Sequence, residues 1–291
     1  MRWDDFRKSS NVEDRRGQLV RAGGLGLGTM AILGLIAWGL GINPALLIGG
    51  AEMVSRHLPQ SSSGSGKQVA GNDQAGQFVA AILGDTEDRW TEIFRAKGIT
   101  YQAPKLVIFS GATRSACGMA QSAVGPFYCP NDRTVYLDTS FFKQIETKLR
   151  GCEAGSKACQ FSQAYVIAHE IGHHVQALLG IMEQVDAARE RASEEEANAL
   201  SVRLELQADF LAGVWANHAQ QERQILEEGD IEEALNAASQ IGDDRLQMET
   251  QGYVVPDAFT HGTAEQRARW FLRGYQTGDI NQGDTFNASS L

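Results

Sequence analysis

The chain is poor in histidine and cysteine and has no excess of positive charge. Its 26 Lys and Arg stand against 36 Asp and Glu, a formal net charge of −10 over 291 residues. That balance repels a polyanion, so nucleic acid is not an expected partner. No phosphate-cradling glycine loop and no internal repeat is present, which sets aside the nucleotide-binding and solenoid classes. Of the four cysteines, Cys117, Cys129, Cys152 and Cys159, none forms a C-x-x-C pair, so a thiolate zinc site is not expected. Only six histidines occur: His57, His169, His173, His174, His218 and His261.

Against that scarcity, His169-Glu170-Ile171-Gly172-His173 is informative. The segment reads H-E-x-x-H within an apolar run of helical character from Phe161 to Leu179, with Ser162 as a plausible N-cap and Gly180 as terminator. Side chains four apart share a helix face, so His169 and His173 can offer ring nitrogens to one metal ion. Glu170 is turned about 100° from His169, where it can act on a water without binding the metal. His174 lies about 140° around the helix from His169 and cannot join the pair. The bland alternative is a surface helix with two unrelated histidines.

A zinc ion in a hydrolase usually takes three protein ligands. No histidine follows His173 at the spacing of the metzincins, so the third ligand is sought among carboxylates. Ser193-Glu194-Glu195-Glu196 reads as a capping box opening a helix with an apolar stripe at Ala197, Leu200, Leu204, Ala208, Leu211 and Trp215. Glu205 and Asp209 fall together on one flank of that stripe. From the pattern alone they are as readily solvated as metal-binding.

Glu205-Leu206-Gln207-Ala208-Asp209 resembles the E-x-x-A-D segment of gluzincin metallopeptidases, in particular the membrane-associated group. The resemblance implies that Glu205 is the third ligand of one zinc ion and that Asp209 orients a ligand histidine. Thr260-His261-Gly262-Thr263-Ala264-Glu265-Gln266-Arg267 is similar to that group's His-Pro-x-x-x-x-Arg segment, with Gly262 in place of proline. His261 would then help stabilise the anionic intermediate, with Arg267 in support. The chain as a whole resembles the bacterial putative neutral zinc metallopeptidases. The resemblance runs from Ser9-Ser10-Asn11-Val12-Glu13-Asp14-Arg15-Arg16-Gly17, through H-E-x-G-H-H-V-Q, to Phe259-Thr260-His261-Gly262 and Gln266-Arg267-Ala268-Arg269-Trp270-Phe271.

Residues 22–50 form an uncharged, mostly apolar stretch long enough to span a bilayer. Six Lys and Arg precede it: Arg2, Arg7, Lys8, Arg15, Arg16 and Arg21. The positive-inside rule then predicts a single-pass inner-membrane protein with a cytoplasmic N-terminal segment over 1–21 and its remaining domain outside. A cleaved signal peptide is the less favoured alternative, since the apolar run is long and no clear cleavage site follows. All four cysteines follow the anchor, which suits two disulfides in an oxidising compartment. Of three possible pairings, the nearest-neighbour one, Cys117–Cys129 and Cys152–Cys159, closes the shortest loops. A Ser- and Gly-rich linker fills 51–76, the catalytic domain is expected over 77–278, and a mobile tail over 279–291.

Within the domain, a helix over 73–97, a strand over 105–109 and a hairpin of 126–129 with 134–138 precede an almost wholly helical remainder. The fold class is therefore α+β, a zincin-like metallopeptidase domain of small sheet and many helices behind one transmembrane helix. The hairpin from Phe127 to Tyr136 is the candidate edge for pairing with an extended substrate, or else an ordinary core hairpin. The expected activity is hydrolysis of peptide bonds in a peptide or protein substrate, with Glu170 as general base. The rival readings are a membrane-tethered zinc-binding adaptor or chaperone and a zinc amidase acting on cell-wall peptides.

Overall fold

The computed structural model describes residues 1–17, 68–71, 73–121, 125–147, 157–240 and 242–291. The expected anchor over 22–50 and most of the linker lie outside them. Among the described residues no helix is long and apolar enough to cross a membrane. The chain divides into one unit of Met1–Gly17 with Lys67–Leu291 and a second of Gln18–Gly66. The description below concerns the first.

Strand β1 (Val12–Asp14) comes first in the chain, followed by helix α1 (Gln74–Ala96). Asp73 caps α1 by accepting from the Gly76 N–H, and Phe78, Ile82, Trp90, Ile93 and Phe94 form its buried face. Strands β2 (Lys105–Phe109), β3 (Ala112–Ser115), β4 (Gly118–Gln121), β5 (Phe127–Cys129) and β6 (Thr134–Asp138) follow. Four of them make one mixed sheet in the order β1-β2-β6-β5, and β3 pairs with β4 in a separate hairpin. β1 and β6 both run parallel to β2, whereas β5 turns back antiparallel to β6. Leu106 to Phe109 are all buried, which accounts for the unbroken apolar run of β2: helices and loops cover both its faces.

The remainder is helical, as the sequence predicts: α2 (Ser140–Thr147), α3 (Lys157–Leu178), α4 (Ile181–Arg189), α5 (Glu194–Arg223), α6 (Asp230–Gln240), α7 (Asp243–Gln251) and α8 (Ala264–Thr277). The capping box at Ser193 is present, with Glu196 returning the bond. Helices α3 and α5 approach closely at Gly172. A Cβ there would lie 2.8 Å from the Ala208 carbonyl oxygen, so only glycine lets these two helices meet at this distance. α5 and α8 are brought together in the same way by Gly213 and Gly274.

Three expectations are corrected. Ser162 is no N-cap: α3 begins at Lys157, and Ser162 sits fully buried inside it. Residues 279–291 are not a mobile tail. Arg203 donates to the carbonyls of Thr285, Phe286 and Ala288, Gln207 donates to that of Gly283, and Thr285 is fully buried, so this segment is held along α5. Finally, residues 1–17 are not a segment apart from the domain. Met1, Trp3, Phe6 and Val12 are buried in its main core, and β1 supplies an outer strand of its sheet.

Candidate metal centre and cleft

Helix α3 carries His169, Glu170 and His173 to the floor of a cleft of about 490 Å³, and all three are buried. The close approach at Gly172 lets α5 present Glu205 across from them. His169 Nε2 lies 3.1 Å from Glu205 Oε2 and His173 Nε2 lies 3.4 Å from Oε1. One ligand atom from each of the three falls within 4.8 Å of the others, a spacing suited to a common metal ion.

The other nitrogen of each ring is already engaged. His169 Nδ1 lies 2.8 Å from Asp209 Oδ1, and His173 Nδ1 lies 2.9 Å from Gln176 Oε1. Both partners accept from an Nδ1–H, which leaves Nε2 with a lone pair for a cation. Asp209 is held in turn by Arg267, whose Nε donates to Oδ2 at 2.8 Å and whose second amino group donates to Oδ1 at 3.0 Å. The Tyr165 hydroxyl also donates to Asp209. Gln176 is fixed by donating to the Leu204 carbonyl at 2.7 Å.

The charges follow this geometry. Burial disfavours the Asp209 carboxylate, but Arg267 and His169 outweigh it and hold its pKa near 2. Burial also works against a charged His169, yet Asp209 and Glu205 raise its pKa to about 10. Glu205 stays well below the usual carboxylate range because both imidazoles offset its desolvation. Carboxylates thus surround two buried imidazoles, an arrangement that a bound cation would suit. Two imidazole nitrogens and one carboxylate oxygen are a donor set that fits zinc.

His261 and Arg267 line the same cleft. His261 is half exposed, and its Nδ1 lies 3.3 Å from Asp243 Oδ1 and 2.9 Å from Thr260 Oγ1. Asp243 Oδ2 accepts from the backbone N–H groups of Thr260, His261 and Gly262, which fixes the loop. Gly262 has a φ of +91°. Proline is locked near −65°, so this backbone has no place for the proline of the resembling segment. His174 is apart from the centre, as the helix angle predicts. It donates from Nε2 to the Gln102 carbonyl at 2.6 Å, and its Nδ1 accepts from the Tyr128 hydroxyl at 2.9 Å.

Asp243, Gln176 and Tyr165 were not picked out from the sequence. Gln176 is one helical turn beyond His173, and Tyr165 one turn before His169, so periodicity carried a signal for both. Asp243 lies 18 residues from His261, and no spacing rule connects them. The Cys117–Cys129 disulfide is present and ties the β3–β4 turn to β5. Cys159 is disulfide-bonded too. Its expected partner Cys152 lies outside the described residues.

An H-E-x-x-H helix and a carboxylate from the next helix but one, converging at a cleft floor, form a candidate metal site in a mixed α+β fold. The chain belongs to the family described as putative neutral zinc metallopeptidase, whose model matches residues 1–286. It is 47% identical to the uncharacterized protein YpfJ of Escherichia coli strain K12, over 99% of this chain and 100% of that protein. It is 42% identical to the uncharacterized protein Rv2575 of Mycobacterium tuberculosis, over 75% of this chain and 74% of that one. No solved structure matches the chain significantly.

Proposed function

We propose that the protein is a zinc-dependent metallopeptidase, held at a membrane through residues 22–50, that hydrolyses peptide bonds outside the cytoplasm. The observation that carries the reading is the convergence of His169, His173 and Glu205 beside Glu170, with both ring Nδ1 atoms already committed to Asp209 and Gln176. His169, His173 and Glu205 would hold the ion. Bound there, zinc supplies Lewis acidity, polarising the scissile carbonyl and lowering the pKa of water.

The remaining work falls to the chain's own groups. An extended substrate lies along β5, the end strand of the main sheet, whose Phe127 and Tyr128 line the cleft. Strand addition there uses the backbone for affinity and the cleft for side-chain fit. The Glu170 carboxylate takes the proton of the attacking water and passes it to the leaving amine. His261, its Nδ1 accepting from the Thr260 hydroxyl at 2.9 Å, donates from Nε2 to the oxyanion. A single such donor is worth about 3–4 kcal/mol. Arg267 keeps Asp209 ionised, and Asp209 holds His169 in the tautomer that leaves Nε2 free.

The test is digestion of a mixed peptide library by purified protein at neutral pH, with and without a chelator. Chelator-sensitive cleavage that zinc restores is expected. Zinc-loaded, folded protein that cuts no peptide would reject the peptidase reading in favour of an adaptor or an amidase.

A further inference from the structure

The N-terminal motif Ser9-Ser10-Asn11-Val12-Glu13-Asp14-Arg15-Arg16-Gly17 has no part in the cleft. It is tied instead to the body of the domain. The Ser9 hydroxyl donates to Glu87 Oε1 at 2.6 Å, and Asn11 Nδ2 donates to the same oxygen at 2.7 Å. Val12, Glu13 and Asp14 pair in register with Leu106, Val107 and Ile108. Before the motif, Trp3 packs edge-on against Phe78 at 5.3 Å, and the Arg2 backbone N–H donates to the Ile225 carbonyl at 2.8 Å. A Cβ at Gly84 would come within 2.1 Å of the Arg7 carbonyl oxygen, so α1 is shaped to receive this segment.

These contacts reach α1, the central strand β2 and the chain just beyond α5. A segment woven into a sheet and a core cannot be separated from them by a bilayer. The chain leaves this folded unit at Gly17 and rejoins it within a few residues of Lys67, and the apolar stretch 22–50 lies between. We propose that both flanks of that stretch occupy one compartment, the oxidising one, so that residues 1–17 and the catalytic domain face the same side of the membrane.

Two observations choose the side. The positive-inside rule describes basic residues near the membrane that compete to stay in the cytoplasm. Here Arg7 pairs with Glu87 at 2.7 Å and Asp88 at 2.8 Å, Arg15 with Glu13 at 2.8 Å, and Arg16 with Asp14 and Asp73. These arginines are matched by acids of the same fold and give little bias. The Cys117–Cys129 disulfide remains, and it belongs to an oxidising compartment. The proposal rests on reading 22–50 as a bilayer-contacting segment, which can be tested separately.

The experiment uses the full chain in bacterial spheroplasts. Single cysteines are introduced at exposed positions of each part, Asp5→Cys and Glu195→Cys, with Ser10→Cys as a second reporter should Asp5→Cys fail to accumulate. Each is treated with a membrane-impermeant maleimide before and after permeabilisation, and membranes are washed with alkali. The expected result is a protein that stays with alkali-washed membranes and labels equally at both positions before permeabilisation. Labelling of Glu195→Cys before and of Asp5→Cys only after permeabilisation would overturn the proposal and restore the single-pass arrangement. Labelling of both only after permeabilisation would overturn the choice of compartment. Release of the protein by alkali would instead remove the bilayer reading on which the proposal depends.

Discussion

At the scale of single residues, Glu170 separates an enzyme from a zinc-binding module. Glu170→Gln keeps the size of the side chain and removes its basicity. Zinc content and thermal stability should match wild type while the rate of peptide hydrolysis falls about 10²-fold or more. Equal rates in the two proteins would end the general-base assignment. Asp209 acts one step further from the metal. Asp209→Asn retains an oxygen for Arg267 and Tyr165 but loses the charge that holds His169, so zinc affinity measured by competition with a chelator should weaken about 10–100-fold. His174 gives a pH signature. Burial pushes its pKa down to about 4, slightly offset by its bond to the Gln102 carbonyl. Its folded pKa thus lies below the unfolded value near 6.5, and the unfolded chain binds the proton more readily. The neutral, bonded His174 contributes fully above about pH 6.5, and that contribution is lost as pH falls from there towards 4, by about 3 kcal/mol in all. Urea titrations at pH 7 and pH 4.5 should show a larger loss in wild type than in His174→Gln.

At the scale of elements, the metal centre depends on how near α3 lies to α5. Gly172→Ala places a methyl group against the Ala208 carbonyl and pushes apart the helices that carry the histidines and Glu205. The expected cost is about 1–3 kcal/mol of stability, with weaker zinc retention. Unchanged zinc affinity and unfolding midpoint would show that the helices can adjust. The same two helices show what the sequence discloses and what it does not. His169, Glu170 and His173 were legible because one helix brings them together, and helical period is written in consecutive residues. The capping box of α5 and the β5–β6 hairpin were legible for the same local reason. Glu205 needed the resemblance, since its distance from His169 depends on packing between two helices. Asp243 stayed hidden because it acts through loop geometry. The docking of the N-terminal segment on the domain was not legible either, because tertiary contacts make it, among them the ion pairs of Arg7 and Arg16 with Glu87, Asp88 and Asp73.

At the scale of the whole molecule, the first residues of the chain support the domain. Phe6 is buried in the main core, and the Arg223 guanidinium lies 5.5 Å from its ring centroid. Phe6→Ala should therefore cost about 3 kcal/mol or more by denaturant titration. A segment apart from the domain would give no change. The distance in sequence between these first residues and their partners also has a consequence in time. The Arg2 N–H waits for Ile225, and the Met1 ammonium for Asp230, at a separation of 229 residues. At the pace of synthesis, roughly 5–20 residues per second, the first two residues stay without these partners for on the order of tens of seconds. His261 and Arg267 are made later still. A nascent chain can therefore form the H-E-x-x-H helix long before the remaining cleft residues exist, and the assembled site is a product of the finished polypeptide. Long-range closure of this kind slows folding. It would also delay the proposed peptidase activity until its own chain, the nearest peptide at hand, has folded out of reach.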